Sequence, residues 1–319
     1  MNWQQYRRWV LIFFALGMAV TGAISAFAQL DINFLAAEFN YRFLPFILCL
    51  APLNYCLRYV KWRYYLQELG VKVPEGQNIL IFIAGLSMTL TPGKVGELLK
   101  CYLLYESQRV PITTTAPVVM AERLTDGISM LILASFGAIA YRYGCVVLCG
   151  TAGAIILFLI VLRNKGMFAW LFQRLGRLPL AGRLVRVLAE LYTGSYILLK
   201  PVPLFVAVSL GLFSWTFEGI VLYLAVQAFG AHISFLQAIF IVSFSAIVGA
   251  LSLLPGGLVA AEGSILGLLL LTGLGKDVAG AATIITRFST LWLGVSFGII
   301  GLLLIIRRPG SSEADNRGR

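Results

Sequence analysis

Charged side chains inside apolar sequence are costly, and this chain sets several of them at spacings that bring them together. Lys94, Glu97 and Lys100 follow the break Thr91-Pro92-Gly93 at three-residue steps, so a helical continuation puts all three on one face. Glu122, Arg123 and Asp126 form a second group. Its two carboxylates, four apart, share a face and repel, whereas Arg123 and Asp126, three apart, can pair. A third group comprises Pro255-Gly256-Gly257, then Glu262, then Arg287. Lysine, arginine or aspartate at the centre of a membrane helix costs roughly 2.5–3.5 kcal/mol each, so these residues are expected to face protein rather than lipid. The chemistry they offer is binding. The second group can hold a cation, or a phosphate through Arg123, with the carboxylates orienting the arginine or exchanging protons; the plainer alternative is a staple between helices. If a helix begins near Gly93, its free amides and positive dipole end suit an anion at the break, and a solvated face with a local ion pair is the alternative there. Glu218, beside Trp215 inside a long apolar run, is the candidate for proton coupling, against a simple hydrogen bond to a neighbouring helix.

The elements that must position these groups are membrane helices. With 59% hydrophobic and 12% charged residues and a mean hydropathy of +0.87, the sequence reads as an all-α polytopic membrane protein. Six runs are expected to span: 9–28, 43–59, 113–141, 144–162, 203–229 and 278–306. The first follows Arg7 and Arg8 as a signal peptide's core would, but it is too long and reads as a retained helix. Two further stretches, 79–102 and 235–271, contain the proline-glycine breaks. Neither residue continues a hydrogen-bonded helix, and unwound backbone at membrane depth is tolerated only where protein or a water-filled cavity satisfies it. These stretches are therefore read as re-entrant hairpins. Gly249, Gly263, Gly267, Gly294 and Gly298 are read as close helix contacts. The net charge of +11 sits mainly in short connections beside apolar runs, so it argues for membrane orientation and against a nucleic-acid partner. Five cysteines without a Cys-x-x-Cys pair, one histidine (His232) and no Walker loop point to no cofactor, no metal centre and no ATP hydrolysis.

If both hairpins enter and leave on one side, Arg7, Arg8, Arg58, Lys61, Arg63, Lys72, Lys100, Arg109, the connection 163–200 and Arg307-Arg308 all fall on the cytoplasmic side. Chiefly Arg42, Arg142 and Lys276 remain opposite. Both termini are then cytoplasmic. Within the basic connection, Met167, Phe168, Trp170, Leu171 and Phe172 followed by Arg174 and Arg177 suggest an interfacial helix on anionic lipid. Residues 1–308 form a single membrane domain, and 309–319 is expected to be a disordered cytoplasmic tail. Arg123 follows Pro92 by 31 residues and Arg287 follows Pro255 by 32, and a glutamate lies within seven residues of each proline. Each half reads as two spans, a broken hairpin and a span, about 9–141 and 144–306. An odd number of crossings in the first half inverts the second, which sets the hairpins head to head.

Leu90-Thr91-Pro92-Gly93-Lys94-Val95-Gly96-Glu97-Leu98-Leu99-Lys100, then Glu122-Arg123-Leu124-Thr125-Asp126, then Leu253-Leu254-Pro255-Gly256-Gly257 with Glu262, then Thr286-Arg287, together resemble the flippase-like transmembrane family. This is the lysylphosphatidylglycerol synthase transmembrane region, also found as the amino-terminal flippase half of the multiple peptide resistance factor. The resemblance runs from the first span to Ile306. It implies movement of a lipid between leaflets of a bacterial inner membrane, the lipid in different relatives being an aminoacylated phosphatidylglycerol, a glycolipid or a hopanoid. Bifunctional relatives carry an aminoacyl-transferase domain after the membrane region; this sequence ends shortly after Arg308, so the lysyl-lipid substrate is not carried over.

The expected function is thus a lipid translocase that is not itself ATP-driven, with partners in a membrane lipid substrate, an anionic lipid surface and, in one arrangement, a separate lipid synthase. Its expected binding residues are Pro92, Gly93, Lys94, Glu97, Lys100, Glu122, Arg123, Asp126, Pro255, Gly256, Gly257, Glu262 and Arg287, with Glu218 coupling. The rivals are a membrane-embedded lipid-modifying enzyme using Glu97, Glu122 or Asp126, which lacks an evident nucleophile arrangement, and a non-catalytic partner of a lipid synthase. Threading predicts that cysteines introduced at Arg109 and Arg177 in a cysteine-depleted variant are protected from an impermeant reagent added outside, while one at Lys276 reacts. Outside labelling of position 177 would overturn the threading.

Overall fold

Every described element is helical, as an apolar solvent requires of a chain whose backbone groups must be satisfied within each segment. The computed structural model describes residues 37–138, 144–164, 166–168, 174 and 182–307. The expected first span at 9–28, most of the expected interfacial helix at 167–177 and the tail at 309–319 lie outside them.

A one-turn 3-10 helix, Tyr41–Phe43, leads into α1 (Leu44–Glu68), whose start tolerates Pro45 because the first-turn amides have no intrahelical partner. Gly70, at φ +72°, then turns the chain into α2 (Glu75–Leu86). After a 3-10 helix at Pro92–Leu98 come α3 (Leu99–Gln108), α4 (Ile112–Ala138), α5 (Gly144–Arg163), α6 (Gly182–Leu198) and α7 (Pro201–Ala228). A capping box between Ser234 and Gln237 starts α8 (Phe235–Leu251). The 3-10 turn Pro255–Gly257 separates it from α9 (Ala260–Leu271), and α10 (Lys276–Arg287) runs through a π-helical turn, Phe288–Trp292, into α11 (Leu293–Arg307).

Among the described residues, three continuous helices are long and apolar enough to cross a membrane: Tyr41–Glu68, Pro201–Ala228 and Lys276–Ile306. They fall on three of the expected spans. The run expected at 113–141 is the 27-residue α4, long enough but interrupted by Glu122, Arg123 and Asp126, and the run at 144–162 is the 20-residue α5. At 1.5 Å per residue, the 12-residue α2 and α9 reach only about 18 Å, well short of a hydrocarbon core of about 30 Å. The connection 163–200 ends in a helix. Its second part is the 17-residue α6, whose Gly194 fits against Pro117 of α4; a Cβ there would stand 2.6 Å from the proline ring.

The packing is crosswise. α1 lies along α7, α2 packs on α11 and α8 packs on α4, so the first arm of each broken pair rests on a helix from the other half of the chain. The two breaks touch, with Leu90 against Gly256, and Leu90, Leu258, Leu291, Trp292 and Val295 form a small core where they meet the π-helical turn. Glycine makes the α2–α11 approach possible. A Cβ on Gly298 would lie 2.0 Å from the Ser87 backbone nitrogen and one on Gly301 2.7 Å from Ile83. Gly249 and Gly294 are likewise tight, against Ala261 and Tyr55, but Gly263 and Gly267 have nothing within 4 Å. Among the described residues the last two pack on no other element. Their spacing mimics a contact stripe, and only the neighbours decide whether a stripe is used.

Gly298→Ala is expected to lower the unfolding midpoint in detergent sharply, because overpacking against backbone cannot be relieved by a side-chain rotation and costs about 1–3 kcal/mol or more. Gly267→Ala should leave the midpoint unchanged or raise it, by up to about 1 kcal/mol of helix propensity. Thermal unfolding followed by thiol-reactive fluorescence checks both.

Candidate functional site

α1 turns a polar edge inward, with Asn54, Arg58 and Lys61 recurring at steps of four and three residues. Each meets a charge from another element. The Asn54 amide nitrogen donates to Glu218 of α7 at 2.9 Å, and the Asn54 oxygen accepts from the Ser214 hydroxyl, which fixes the orientation of the amide. Arg58 reaches Glu97 in the first break at 3.7 Å. Lys61, 2% exposed, donates to Asp126 of α4 at 2.6 Å.

Glu97 is the hub. Besides Arg58 it meets Arg123 at 3.3 Å and Lys100 at 3.6 Å. Arg123 also holds Asp126 at 3.1 Å, while Lys100 bonds Glu122 at 2.7 Å and lies over the Trp62 ring at 4.4 Å. Burial of this order is tolerated only when charges are paired and hydrogen-bonded. The like charges Glu122 and Asp126, which repel on one helical face, are thus separated onto different lysines.

The first break satisfies its own backbone. The Ser87, Thr89 and Thr91 hydroxyls donate to the carbonyls of Ala84, Leu86 and Met88, and the Thr91 hydroxyl oxygen accepts from the Gly96 amide at 2.8 Å. The second break is built differently. The Ser252 hydroxyl donates to the Gly249 carbonyl, and Arg287 closes the rest by donating to Glu262 at 2.6 Å and to the Gly256 carbonyl at 3.0 Å. Its backbone is strained. Leu253 (φ 55°) and Val259 (φ 70°) flank Gly256 (φ 62°) and Gly257 (φ 66°), and a β-branched residue at positive φ is a genuine outlier costing of order 1–3 kcal/mol.

Between the breaks lies a cavity of about 240 Å³. Arg58, Arg123 and Arg287 line it, together with Asp126, Glu218, Trp215, Ser245 and the backbone of Gly256 and Gly257. The Ser245 hydroxyl and the Arg123 Nε face no hydrogen-bond partner among the described residues.

Of the residues expected at a site, Arg123, Asp126, Glu218, Gly256, Gly257 and Arg287 line this cavity. Glu97 and Glu262 stand behind the arginines, and the Lys100–Glu122 pair forms a separate buried tie between α3 and α4. Pro92 and Gly93 belong to the 3-10 helix, and the Lys94 side chain is outside the described structure. Two residues were absent from the expected set. By charge bias Arg58 and Lys61 fall among the cytoplasmic-side charges at the end of the span 43–59, yet Lys61 is buried in an ion pair. The signal that distinguishes them is the polar recurrence 54, 58, 61 along α1. Positive-charge counting ignores helical phase and cannot register it.

The family described as "Lysylphosphatidylglycerol synthase TM region" matches residues 6–298. A "UPF0104 membrane protein" of Methanothermobacter thermautotrophicus is 24% identical over 268 residues, covering 76% of this chain and 79% of the relative. Another match to a protein so described from the same organism is 37% identical over 91 residues, covering 28% of this chain and 27% of the relative.

Lys61→Met is expected to destabilise the protein by up to about 3–5 kcal/mol, since it removes one partner of a buried pair and leaves Asp126 only its contact with the partly exposed Arg123. Arg63→Met, which breaks the half-exposed pair with Glu75 at 3.3 Å, should change stability by less than about 1 kcal/mol. Unfolding midpoints of the two variants in the same detergent test the contrast.

Proposed function

The chain belongs to the lysylphosphatidylglycerol synthase transmembrane family, and from that premise we propose that it is a lipid translocase. The polar head group enters the cavity between the two helix breaks while the hydrocarbon chains stay in the bilayer. The observation that carries this reading is the convergence of Arg58, Arg123 and Arg287 on one cavity inside an otherwise apolar helical protein. Guanidinium forks suit phosphate oxygens, and a protein-lined polar space lowers the cost of moving a head group past hydrocarbon. The threading that accompanies this function has six spans and two re-entrant hairpins in inverted repeats, with both termini cytoplasmic in a bacterial inner membrane. Crosswise packing of α2 on α11 and α8 on α4, and the contact between the breaks, support it. Transport then runs down the lipid gradient or with a coupled ion, without ATP hydrolysis by this chain.

Purified protein in liposomes of known lipid composition, without any partner, tests the function. Side-to-side movement of a fluorescent anionic phospholipid supports it, chemical conversion of the lipid would favour an enzyme, and neither would favour a partner of a separate synthase. Arg123→Ala and Arg287→Ala are each expected to slow movement by about tenfold or more, with Arg123→Lys intermediate because lysine lacks the bidentate fork. Normal rates in both alanine variants would remove these arginines from the path. Replacing Pro92-Gly93 by Ala-Ala favours a continuous helix by roughly 3 kcal/mol at the proline and about 1 kcal/mol at the glycine, and should abolish movement. At Pro255-Gly256 the same change also forces a Cβ onto a residue at φ 62° and 2.9 Å from Leu90, so its damage is expected to be at least as great.

A further inference from the structure

Away from the central cavity, α4 floors an apolar groove of about 510 Å³. Ile128 and Leu131 of α4 form the floor, Ile155 and Leu159 of α5 one wall, and Pro201 and Phe205 of α7 the other; every described lining side chain is apolar. The groove has a charged end. α4 packs against both walls: a Cβ on its Gly127 would stand 3.5 Å from Ile155, and its Ser129 hydroxyl donates to the Val208 carbonyl at 3.0 Å. Nearer the start of α4, Pro117 meets Gly194, just before α7, and Leu124 shares one apolar cluster with Leu159, Leu199 and Leu204. α7 therefore runs along α4 in the same direction and α5 in the opposite one, so the last turn of α5 lies beside the first turn of α7. Arg163 ends α5 one turn beyond Leu159, and Lys200 immediately precedes Pro201. Both cations are exposed at this end. Tyr192, in the same cluster as Leu159, stacks on Phe168 at 4.1 Å, and amphipathic aromatic rings of this kind gather at the level of lipid head groups.

We infer that the groove is a second lipid site, separate from the central cavity, which takes one hydrocarbon chain of an anionic phospholipid of the surrounding bilayer while Arg163 and Lys200 meet its phosphate. Two features select this occupant. Helices associate in membranes through small residues and polar contacts, whereas these walls present branched aliphatic side chains and a phenylalanine, which suit a flexible chain better than another helix. The cations continue the groove at its head-group end, and basic side chains at that level attract anionic lipid in preference to zwitterionic lipid. Apolar groove and charged end thus follow one another as the tail and head of a phospholipid do. On α4, Asp126 and Met130 line the cavity while Ile128 and Leu131 line the groove. The groove lipid therefore packs against the back of the helix that carries Arg123 and Asp126.

This inference does not depend on the translocase reading. Full-length protein in a non-ionic detergent is incubated with equal amounts of palmitoyl-oleoyl phosphatidylglycerol and palmitoyl-oleoyl phosphatidylcholine, which carry the same chains, and retained lipids are counted by native mass spectrometry. Arg287→Ala, whose cavity has lost a guanidinium, is measured alongside to tell a groove lipid from a cavity lipid. Wild type and Arg287→Ala are both expected to retain phosphatidylglycerol in preference to phosphatidylcholine. Arg163→Gln combined with Lys200→Gln, both at exposed positions, should lower that preference about tenfold and leave phosphatidylcholine retention nearly unchanged. Ala152→Trp, which fills the groove from α5, should lower retention of both lipids. Equal preference in the wild type and the double glutamine variant overturns the proposal. So does loss of the retained lipid in Arg287→Ala, which would place it in the cavity, and so does a dimer that Ala152→Trp abolishes, which would place a second copy of the chain in the groove.

Discussion

A helix that ends inside an apolar protein leaves carbonyl and amide groups that only the protein itself can satisfy, and the architecture follows from that constraint. At the first break the solution is local. Alternate hydroxyls at Ser87, Thr89 and Thr91 fold back onto carbonyls three residues earlier, which lets α2 stop without water. At the second break it is tertiary, because Gly256's carbonyl is reached by Arg287 from α10, 31 positions along the chain. One side chain thus fixes a turn, pairs Glu262 and faces the cavity.

The two breaks are held with different firmness. Glu97 ties the first to three cations drawn from α1, α3 and α4, and the pairs Lys61–Asp126 and Lys100–Glu122 lock the same three helices around it. The second break combines strained backbone at Leu253 and Val259 with the single Arg287 clamp. Removing one partner of a buried pair is far more damaging than the pair's net contribution suggests, so the first break is held by more such contacts than the second.

Close packing of helices makes the polar centre possible. Gly298 and Gly301 let α11 seat on the backbone of α2, which places the π-helical turn beside both breaks. That wider turn leaves the Thr290 carbonyl available, and Tyr55 of α1 donates to it at 3.0 Å. Arg287, immediately before this turn, is thereby aimed at the second break rather than along the helix. The cavity is a consequence of this convergence: two short broken helix pairs meet end to end and leave space that charged side chains line.

The amino-acid sequence by itself determined the helical membrane class, both breaks, the pairing of Arg123 with Asp126 and the grouping of Glu262 and Arg287 with the second break. Each follows from one-dimensional properties: apolar run length, residues that cannot continue a helix, and helical spacing. The breaks also carried the family resemblance, which the match over residues 6–298 bears out. Only the tertiary structure decided that Lys61 and Arg58 belong with Asp126 and Glu97, that Lys100 and Glu122 form a tie outside the cavity, and that Gly298 touches backbone while Gly263 and Gly267 meet no other element among the described residues. The reason is the same in each case. A charge or a glycine has a role only relative to the neighbour that faces it, and those neighbours lie on other helices, at separations in the chain that spacing along one helix cannot encode.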